Sequence, residues 1–501
     1  MPRRQREPRP DVAVVGAGMA GALVAWRLVA RGARVVLIEA GGRHGHAAGP
    51  GARRVPYLRA LRGLPPWRTP EEAGELRASV ETGLGGTTLV WDGFAQRLAP
   101  DDFRSRTLFG RFADWPIAAS DLAPYYDDAE REIGLAGGPS GGLPAHPLAE
   151  ADERFAAAIT KLGGRAVALP NARASRPYRD RPACGGYAGC AACPTLAKYT
   201  AESHIVRALS TGRLELRTRD RVTSIETGDG RIDFLRTHDV SGNRRKVQAD
   251  AFVLAAGSLV NASLLRALAV EENASPPPAI PWADHLLFEM EAFLDEAWMP
   301  GTTAFPVAGT DLFASRKERE RGGAIGMVFG GTAATPAAGR IVGELFREDG
   351  RTGRDLAKGI RRHLRGRVAI TVCVEPPQDA GRSLRPGTEA GALPELSGEW
   401  NDAARKAVRR GEDAARRVFR AMGAKRVRRA GSPRLAGSHT ATAPMTASSA
   451  EVPFQTVGTD LRVPGAENLF AVSAGVLPSP GSVRPALTVA ALALRVAKAV
   501  R

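Results

Sequence analysis

Residues 11–45 read DVAVVGAGMAGALVAWRLVARGARVVLIEAGGRHG. The segment reads as strand, tight turn, helix, strand. Val12 to Val15 is a short apolar run suited to a buried parallel strand. Gly16, Gly18 and Gly21 follow as G-x-G-x-x-G. The first glycine allows the turn, the second lets a pyrophosphate approach the backbone, and the third lets the helix pack closely on the strand. Leu23 to Ala30 carries the helix, and Gly32 stops it. Arg34 to Ile38 is the second strand and ends in Glu39, placed to accept hydrogen bonds from a ribose. The helix N-terminus adds free N–H groups and a positive dipole end, both suited to phosphate. Strand before, helix after and acid beyond are the context that makes a weak motif a dinucleotide site. The motif does not separate FAD from NAD.

The chain has 501 residues, enough for two or three domains with large cores, and a hydrophobic content of 44% that fits a globular protein. Its net charge is +17, from 70 Lys and Arg against 53 Asp and Glu. The arginines are scattered and no nucleic-acid motif appears, so we expect no nucleic-acid partner. No run of about 20 uncharged apolar residues exists, so no membrane span is expected. The basic start, MPRRQREPRP, imitates a signal peptide, but the apolar part that follows is the first strand of the nucleotide site. A cytoplasmic location is therefore expected. Four cysteines do not make a disulfide framework.

Residues 81–97, ETGLGGTTLVWDGFAQR, form a second glycine loop. Gly83, Gly85 and Gly86 let backbone run close to a planar ligand, and Thr87 and Thr88 offer hydroxyls. Trp91 and Phe94 are costly to leave in solvent. In residues 114–137, DWPIAASDLAPYYDDAEREIGLAG, Ser120 reads as the N-cap of a helix from Asp121 to Ile133.

These stretches together resemble the glucose–methanol–choline (GMC) flavoprotein oxidoreductases, nearest the branch of pyranose oxidases and gluconate and fructose dehydrogenases. The resemblance covers nearly the whole chain. It implies an α/β fold: a Rossmann-like FAD-binding domain built from discontinuous segments, plus an α+β substrate domain with an antiparallel sheet. We assign residues 1–110, 195–275 and 432–501 to the first and 111–194 and 276–431 to the second. Some relatives tether FAD through a histidine about two residues before the place of Asp92. Val90 stands there, which implies non-covalent FAD. The resemblance also puts Val222 beside the adenine.

Residues 184–200 read CGGYAGCAACPTLAKYT. Cys184, Cys190 and Cys193 have C-x5-C-x2-C spacing before Pro194, and Cys-Pro ends many iron–sulfur runs. Some sugar dehydrogenases of this branch have a similar region and carry a three-iron cluster. An iron–sulfur cluster and three ordinary thiols both fit the loop.

Strands are expected at Leu214 to Arg217, Val222 to Glu226 and Ile232 to Arg236, with Gly228-Asp229-Gly230 as a hairpin turn. Another buried strand runs from Ala251 to Ala256, and Gly257 allows close approach to the cofactor. Asp284-His285 resembles a family pair at the domain junction, read as structural support. VAITVCVE, residues 368–375, is a strand. Ala404, Val408, Ala415, Val418 and Met422 mark an amphipathic helix.

The last segment carries the chemistry. GSHTATAPM, residues 437–445, presents His439 in a small-residue turn. Leu469 to Ser473 reads as the last nucleotide-domain strand, Gly475 lies where backbone meets the cofactor again, and Thr488 to Ala497 is a closing helix. The resemblance makes His439 the base that accepts the hydroxyl proton while hydride passes to flavin N5. Imidazole suits this because its pKa lies near neutral. The family's second position, normally Asn or His about 45 residues on, falls on Arg484. Arginine cannot be a base, but it can donate a fork of hydrogen bonds to an anionic oxygen. The resemblance thus implies oxidation of a sugar, aminosugar or other polyol, with oxygen or an electron carrier as final acceptor. The Arg484 departure leaves a flavin lyase or isomerase open, as is a flavin-binding partner subunit with little turnover.

Overall fold

The computed structural model describes residues 9–43, 81–186, 193, 195–274, 279–294, 308–331, 345–346, 350–378, 381–385, 395–398, 401–424, 426–447 and 452–500. Five short strands form one sheet: β1 (Val12–Val15), β2 (Val35–Glu39), β3 (Leu214–Thr218), β4 (Ala251–Leu254) and β5 (Leu469–Ala471). Their spatial order is β5-β4-β1-β2-β3. Every pairing is parallel, with Val12 opposite both Val35 and Ala251. Such a sheet is covered on both faces, so its strands are apolar throughout rather than alternating, and β1, β2 and β4 are buried at every residue. The chain runs outward from β1 through β2 to β3, then returns to the other side of β1 at β4. The crevice at the carboxyl ends of β1 and β4 is therefore the topological switch point, where such sheets bind ligands.

The first helix is Met19–Ala30, four residues longer at its start than the apolar pattern suggests, because it opens inside the glycine motif. The closing helix Ala486–Ala499 packs against it and against helix Ala119–Ile133. Ser120 is not that last helix's cap. The N-cap is Ala118, whose N–H donates to the Asp121 carboxylate at 2.8 Å, so a first-turn acid does the capping. Strands Asp220–Gly228 and Arg231–Asp239 are joined by the expected hairpin, with Asp229 and Gly230 both left-handed (φ 52° and 71°). The strands at 214, 251 and 469 end within two residues of the positions read from sequence.

A second, antiparallel sheet has seven strands. Six lie in the order Arg426–Arg429, Leu286–Phe293, Arg367–Val374, Ile325–Gly331, Ala308–Phe313, Ala166–Ala168, and Arg434–Leu435 also pairs with Leu286–Phe293. Its two faces differ, as alternation requires. Phe288, Met290, Ile370, Val372, Val374, Ile325 and Met327 are buried and form a core with helix Asp402–Ala421. Gly411 makes that approach close: a Cβ there would lie 2.8 Å from Phe288 Cζ and 2.9 Å from Val374 Cγ2. On the opposite face Thr371, Cys373, Gly326 and Val328 are only half-buried. Leu259 and Ala262, in the helix that follows β4, join the core of this second sheet and lock the two sheets together.

Candidate active site

The two glycine loops are built against each other. Gly16 has φ 100°, and a Cβ there would meet Ala255 O at 2.5 Å, so the turn after β1 abuts the end of β4. A Cβ on Gly21 would lie 1.9 Å from Gly16 O, which is the close helix–strand packing the motif predicts. Gly86 faces Gly18, where a Cβ on Gly86 would lie 3.0 Å from Gly18 Cα, and Gly85 N–H donates to Ala17 O at 2.9 Å. Glu39, buried at the end of β2, is the knot of this arrangement. Its Oε1 accepts from Gly41 N at 2.7 Å and Gly83 N at 2.9 Å, and its Oε2 accepts from Ala17 N at 2.9 Å. Each carboxylate oxygen has two lone pairs, so one acceptor position on Oε2 remains for a ribose hydroxyl.

Room for a dinucleotide is visible in the same place. A Cβ on Gly18 or on Gly257 would meet nothing within 4 Å. Helix Met19–Ala30 has no side-chain cap and no acidic residue in its first turn, leaving its N–H groups for a phosphate. Thr87 is exposed beside this loop. Thr88 is internal: its hydroxyl donates to Gly85 O and accepts from Ala201 N at 2.9 Å. Val222 is buried in the strand leaving β3. Gly475 packs inward, where a Cβ would strike Thr442 Oγ1 at 2.1 Å.

His439 sits in a strained turn. It and Ala441 both have positive φ (48° and 63°), a conformation costly for residues with a Cβ and typical of functional sites. The surroundings enforce it. Asp284 Oδ2 accepts from Gly437 N at 2.6 Å and its Oδ1 from Ser438 N at 3.1 Å. Thr440 and Ala283 exchange backbone hydrogen bonds at 2.7 and 3.1 Å, and Ala441, Ala443 and Met445 donate to Leu477, Gly475 and Val476. The Asp284-His285 pair thus supports the His439 turn. His439 is 2% exposed, and its Nε2 is buried without a partner among the described residues. Burial, with the positive charge of Arg382, pushes the imidazole down to about 3, below the near-neutral value expected from the sequence, so it is neutral at physiological pH with a lone pair to accept a proton but a weakened basicity. His285, fully buried with Nε2 3.0 Å from Gly481 O, is likewise pushed down to about 4. Burial lifts Asp284 to about 6 against the pull of its N–H donors.

Arg484 does not stand alone. Its Nη2 donates to Asp92 Oδ2 at 2.7 Å. Both side chains are half-buried, keeping 25% and 42% of their surface. Burial opposes the charge on Asp92, but the guanidinium more than offsets it and holds the carboxyl below its usual range. Cys373, on the half-buried sheet face, senses the same pair, and burial pushes its thiol up to about 12. Sequence reasoning missed Asp92 here. Nothing in a lone WD dipeptide marks Asp92 as Arg484's partner, since the two meet only when distant segments fold together.

The cysteine loop is only partly described, because Cys190 lies outside the described residues. Cys184 and Cys193 are in no disulfide, and Cys193 Sγ lies 3.8 Å from Thr195 Oγ1. Burial of Cys193 is outweighed by nearby N–H groups, which lower its thiol. Among the described residues no three His, Cys, Asp or Glu side chains gather as a metal site, and no helix is long and apolar enough to cross a membrane.

A parallel sheet with an uncapped glycine turn at its switch point, joined to an antiparallel sheet, defines a dinucleotide-binding α/β protein. The FAD dependent oxidoreductase (DAO) family model matches residues 11–394, and the chain belongs to that family. It is similar to the fructose dehydrogenase large subunit of Gluconobacter japonicus, 28% identical over 52% of this chain and 55% of the relative. It is similar to 6'''-hydroxyparomomycin C oxidase of Streptomyces lividus, 30% identical over 51% of this chain and 49% of the relative. An uncharacterised GMC-type oxidoreductase of Mycobacterium tuberculosis is 27% identical over 98% of this chain and 75% of its own. The chain spans about half the length of the first two relatives it matches. In fold it is similar to the crystal structure of pyridoxine 4-oxidase from Mesorbium loti, with TM-score 0.68, 18% identity, and coverage of 98% of this chain and 99% of that one. The GMC resemblance and the α/β fold read from sequence are borne out.

Proposed function

We propose that this flavoprotein oxidises a hydroxyl group of a sugar, aminosugar or other polyol to a carbonyl. The observation that carries the reading is His439: a neutral, buried imidazole whose Nε2 has no partner among the described residues, held in a strained turn. Bound FAD supplies the hydride acceptor. The residues fit it: Gly16, Gly18 and Gly21 would take the pyrophosphate, Glu39 the ribose, Gly85, Gly86 and Thr87 the second loop's contacts, and Val222, Gly257 and Gly475 its remaining edges. His439 Nε2 takes the proton from the hydroxyl oxygen as the hydride leaves the carbon. Arg484, paired with Asp92, would offer its remaining donors to the substrate oxygen. The names of the relatives, which include a fructose dehydrogenase and an aminoglycoside oxidase, support the substrate class.

On this reading the FAD-binding domain comprises residues 1–110, 195–275 and 432–501, and the substrate domain the remainder. Val90 offers no nucleophile, so FAD is bound without a covalent link, and acid precipitation should release the yellow colour into the supernatant. The acceptor that reoxidises the flavin is oxygen or a carrier. A cluster on Cys184, Cys190 and Cys193 would give about three irons per chain in anaerobically prepared protein. The deciding experiment is anaerobic mixing with D-fructose, paromamine, 2-methyl-1,2-propanediol and pyridoxine. Bleaching of the oxidised flavin band by one of them supports alcohol oxidation. No bleaching by any polyol favours a lyase or a silent flavin-binding subunit.

A further inference from the structure

Among the described residues the ring of Trp282, which nothing above assigns to the chemistry, packs against His439. The two ring centroids are 5.0 Å apart at 66°, edge toward face. Trp282 is 4% exposed. Its backbone N–H donates to Arg382 O at 3.3 Å, and the Arg382 guanidinium lies 5.5 Å from its ring centroid. Its Nε1 is buried without a partner among the described residues, as is His439 Nε2. Buried indoles normally find an acceptor for this N–H, and an unmet buried group is costly. Here two unmet nitrogens sit on touching rings. One can only donate, and the other, in the neutral imidazole with its proton on Nδ1, can only accept.

We propose that the Trp282 indole N–H is a catalytic hydrogen-bond donor that works with His439 on one substrate hydroxyl. This rests on the assignment of His439 as base. A single hydroxyl satisfies both nitrogens: its oxygen accepts from Trp282 Nε1–H, and its proton points at His439 Nε2. In the reaction the O–H bond breaks and an N–H bond forms on Nε2, while the carbon gives up its hydride to bound FAD. As the oxygen gains negative charge, the indole N–H bond to it becomes charge-assisted and strengthens. Arg382, stacked on the indole, adds a positive field that favours the same charge. The contact is therefore stronger in the transition state than in the bound substrate, and it acts on kcat more than on KM. Both nitrogens are buried, so a hydroxyl must part the two rings to reach them.

The test uses the flavin-loaded full chain and the fastest-reducing alcohol among D-fructose, paromamine, 2-methyl-1,2-propanediol and pyridoxine. W282F removes the N–H and keeps an aromatic ring. We expect flavin content and melting temperature near wild type, kcat for flavin reduction down about 10- to 100-fold, and KM within about threefold. W282H, which restores an N–H donor, should recover part of the rate. If W282F does not fold, benzothienylalanine at position 282 keeps the indole shape and loses only the N–H, with the same expectation. A wild-type rate in a variant lacking the N–H, with H439A inactive, would overturn the role of Trp282 and leave the base assignment standing. Wild-type rates in both would overturn both, as would no reduction by any of the four alcohols.

Discussion

At the scale of single residues, Glu39 and His439 carry the most. Glu39 gathers three backbone N–H groups from three segments before any ribose arrives. E39A should strand all three, and charge-assisted bonds of this kind contribute about 1.5–3 kcal/mol each. We expect flavin-free protein with a lowered melting temperature, whereas E39Q, which keeps one acceptor oxygen, should retain some flavin. His439 and His285 are buried neutral, with pKa values near 3 and 4 against 6.5 for exposed imidazole. The unfolded chain binds more protons than the folded one between those values, so these groups cost stability as pH falls below about 6.5. Melting temperature measured from pH 7 to 4 should decline, and less steeply in H439Q. The same low value places the acid limb of the flavin-reduction rate below pH 5, and a midpoint near 6.5 would contradict it. At Arg484, R484N should lower kcat/KM for flavin reduction about 10- to 100-fold, the scale of a charge-assisted bond. R484K should recover only part, having lost the planar fork. Unchanged kcat/KM in R484N would mean that the Asp92 pair serves structure alone.

Secondary-structure elements meet at positions where a side chain is absent as often as where one is present. Helix Asp402–Ala421 touches the antiparallel sheet through Gly411, and G411A should push against Phe288 and Val374. Overpacking of this kind costs about 1–3 kcal/mol, readable as a shift in the denaturant midpoint; an unshifted midpoint would mean the helix can lift away freely. Much of this scale was legible in the sequence. β1, the glycine turn and β2 stand together in one short stretch with its own periodicity, so local physics places them. The amphipathic stripe from Ala404 to Met422 did the same for its helix. Start points were less legible. Helix Met19–Ala30 begins within glycines that no propensity favours, and helix Ala119–Ile133 is capped by Asp121 rather than the nearby Ser120. The first starts without a side-chain cap, and the second is capped by an acid in its own first turn. The site was legible as far as the small-residue turn that presents His439, whose role rests on the family resemblance. It was illegible where contacts join remote segments, as with Asp92 to Arg484 and Trp282 to His439.

Across the whole molecule, a buried charge network fastens the antiparallel sheet to the loop before the closing helix. Arg319 is 3% exposed at its side chain and pairs with Asp102 at 2.9 Å and with Glu375 at 3.2 Å. Asp102 in turn accepts from Ser482 N and Ser482 Oγ, both at 2.8 Å, and so holds the loop that leads to Arg484. From the same antiparallel sheet, His285 at the start of strand Leu286–Phe293 contacts the same loop at Gly481. Removing one partner leaves buried charge uncompensated, at about 3–5 kcal/mol. R319A should therefore unfold at markedly lower denaturant concentration than wild type, and a variant as stable as wild type would show the network to be dispensable.

The parallel sheet has a consequence for how the chain is made. Its central strand, near residue 12, is flanked by one strand near 251, and the sheet is completed by another near 469. A ribosome working from the N-terminus displays the glycine turn early and delivers β5 and helix Ala486–Ala499 late. For most of synthesis the nascent sheet lacks a strand and the apolar face of its last helix, so the cofactor cradle cannot close. Long-range parallel pairing of this kind is slow and leaves apolar surface open to aggregation in the meantime. Yield of active protein should therefore respond to chaperone supply and to slower translation more than a chain built of local contacts would.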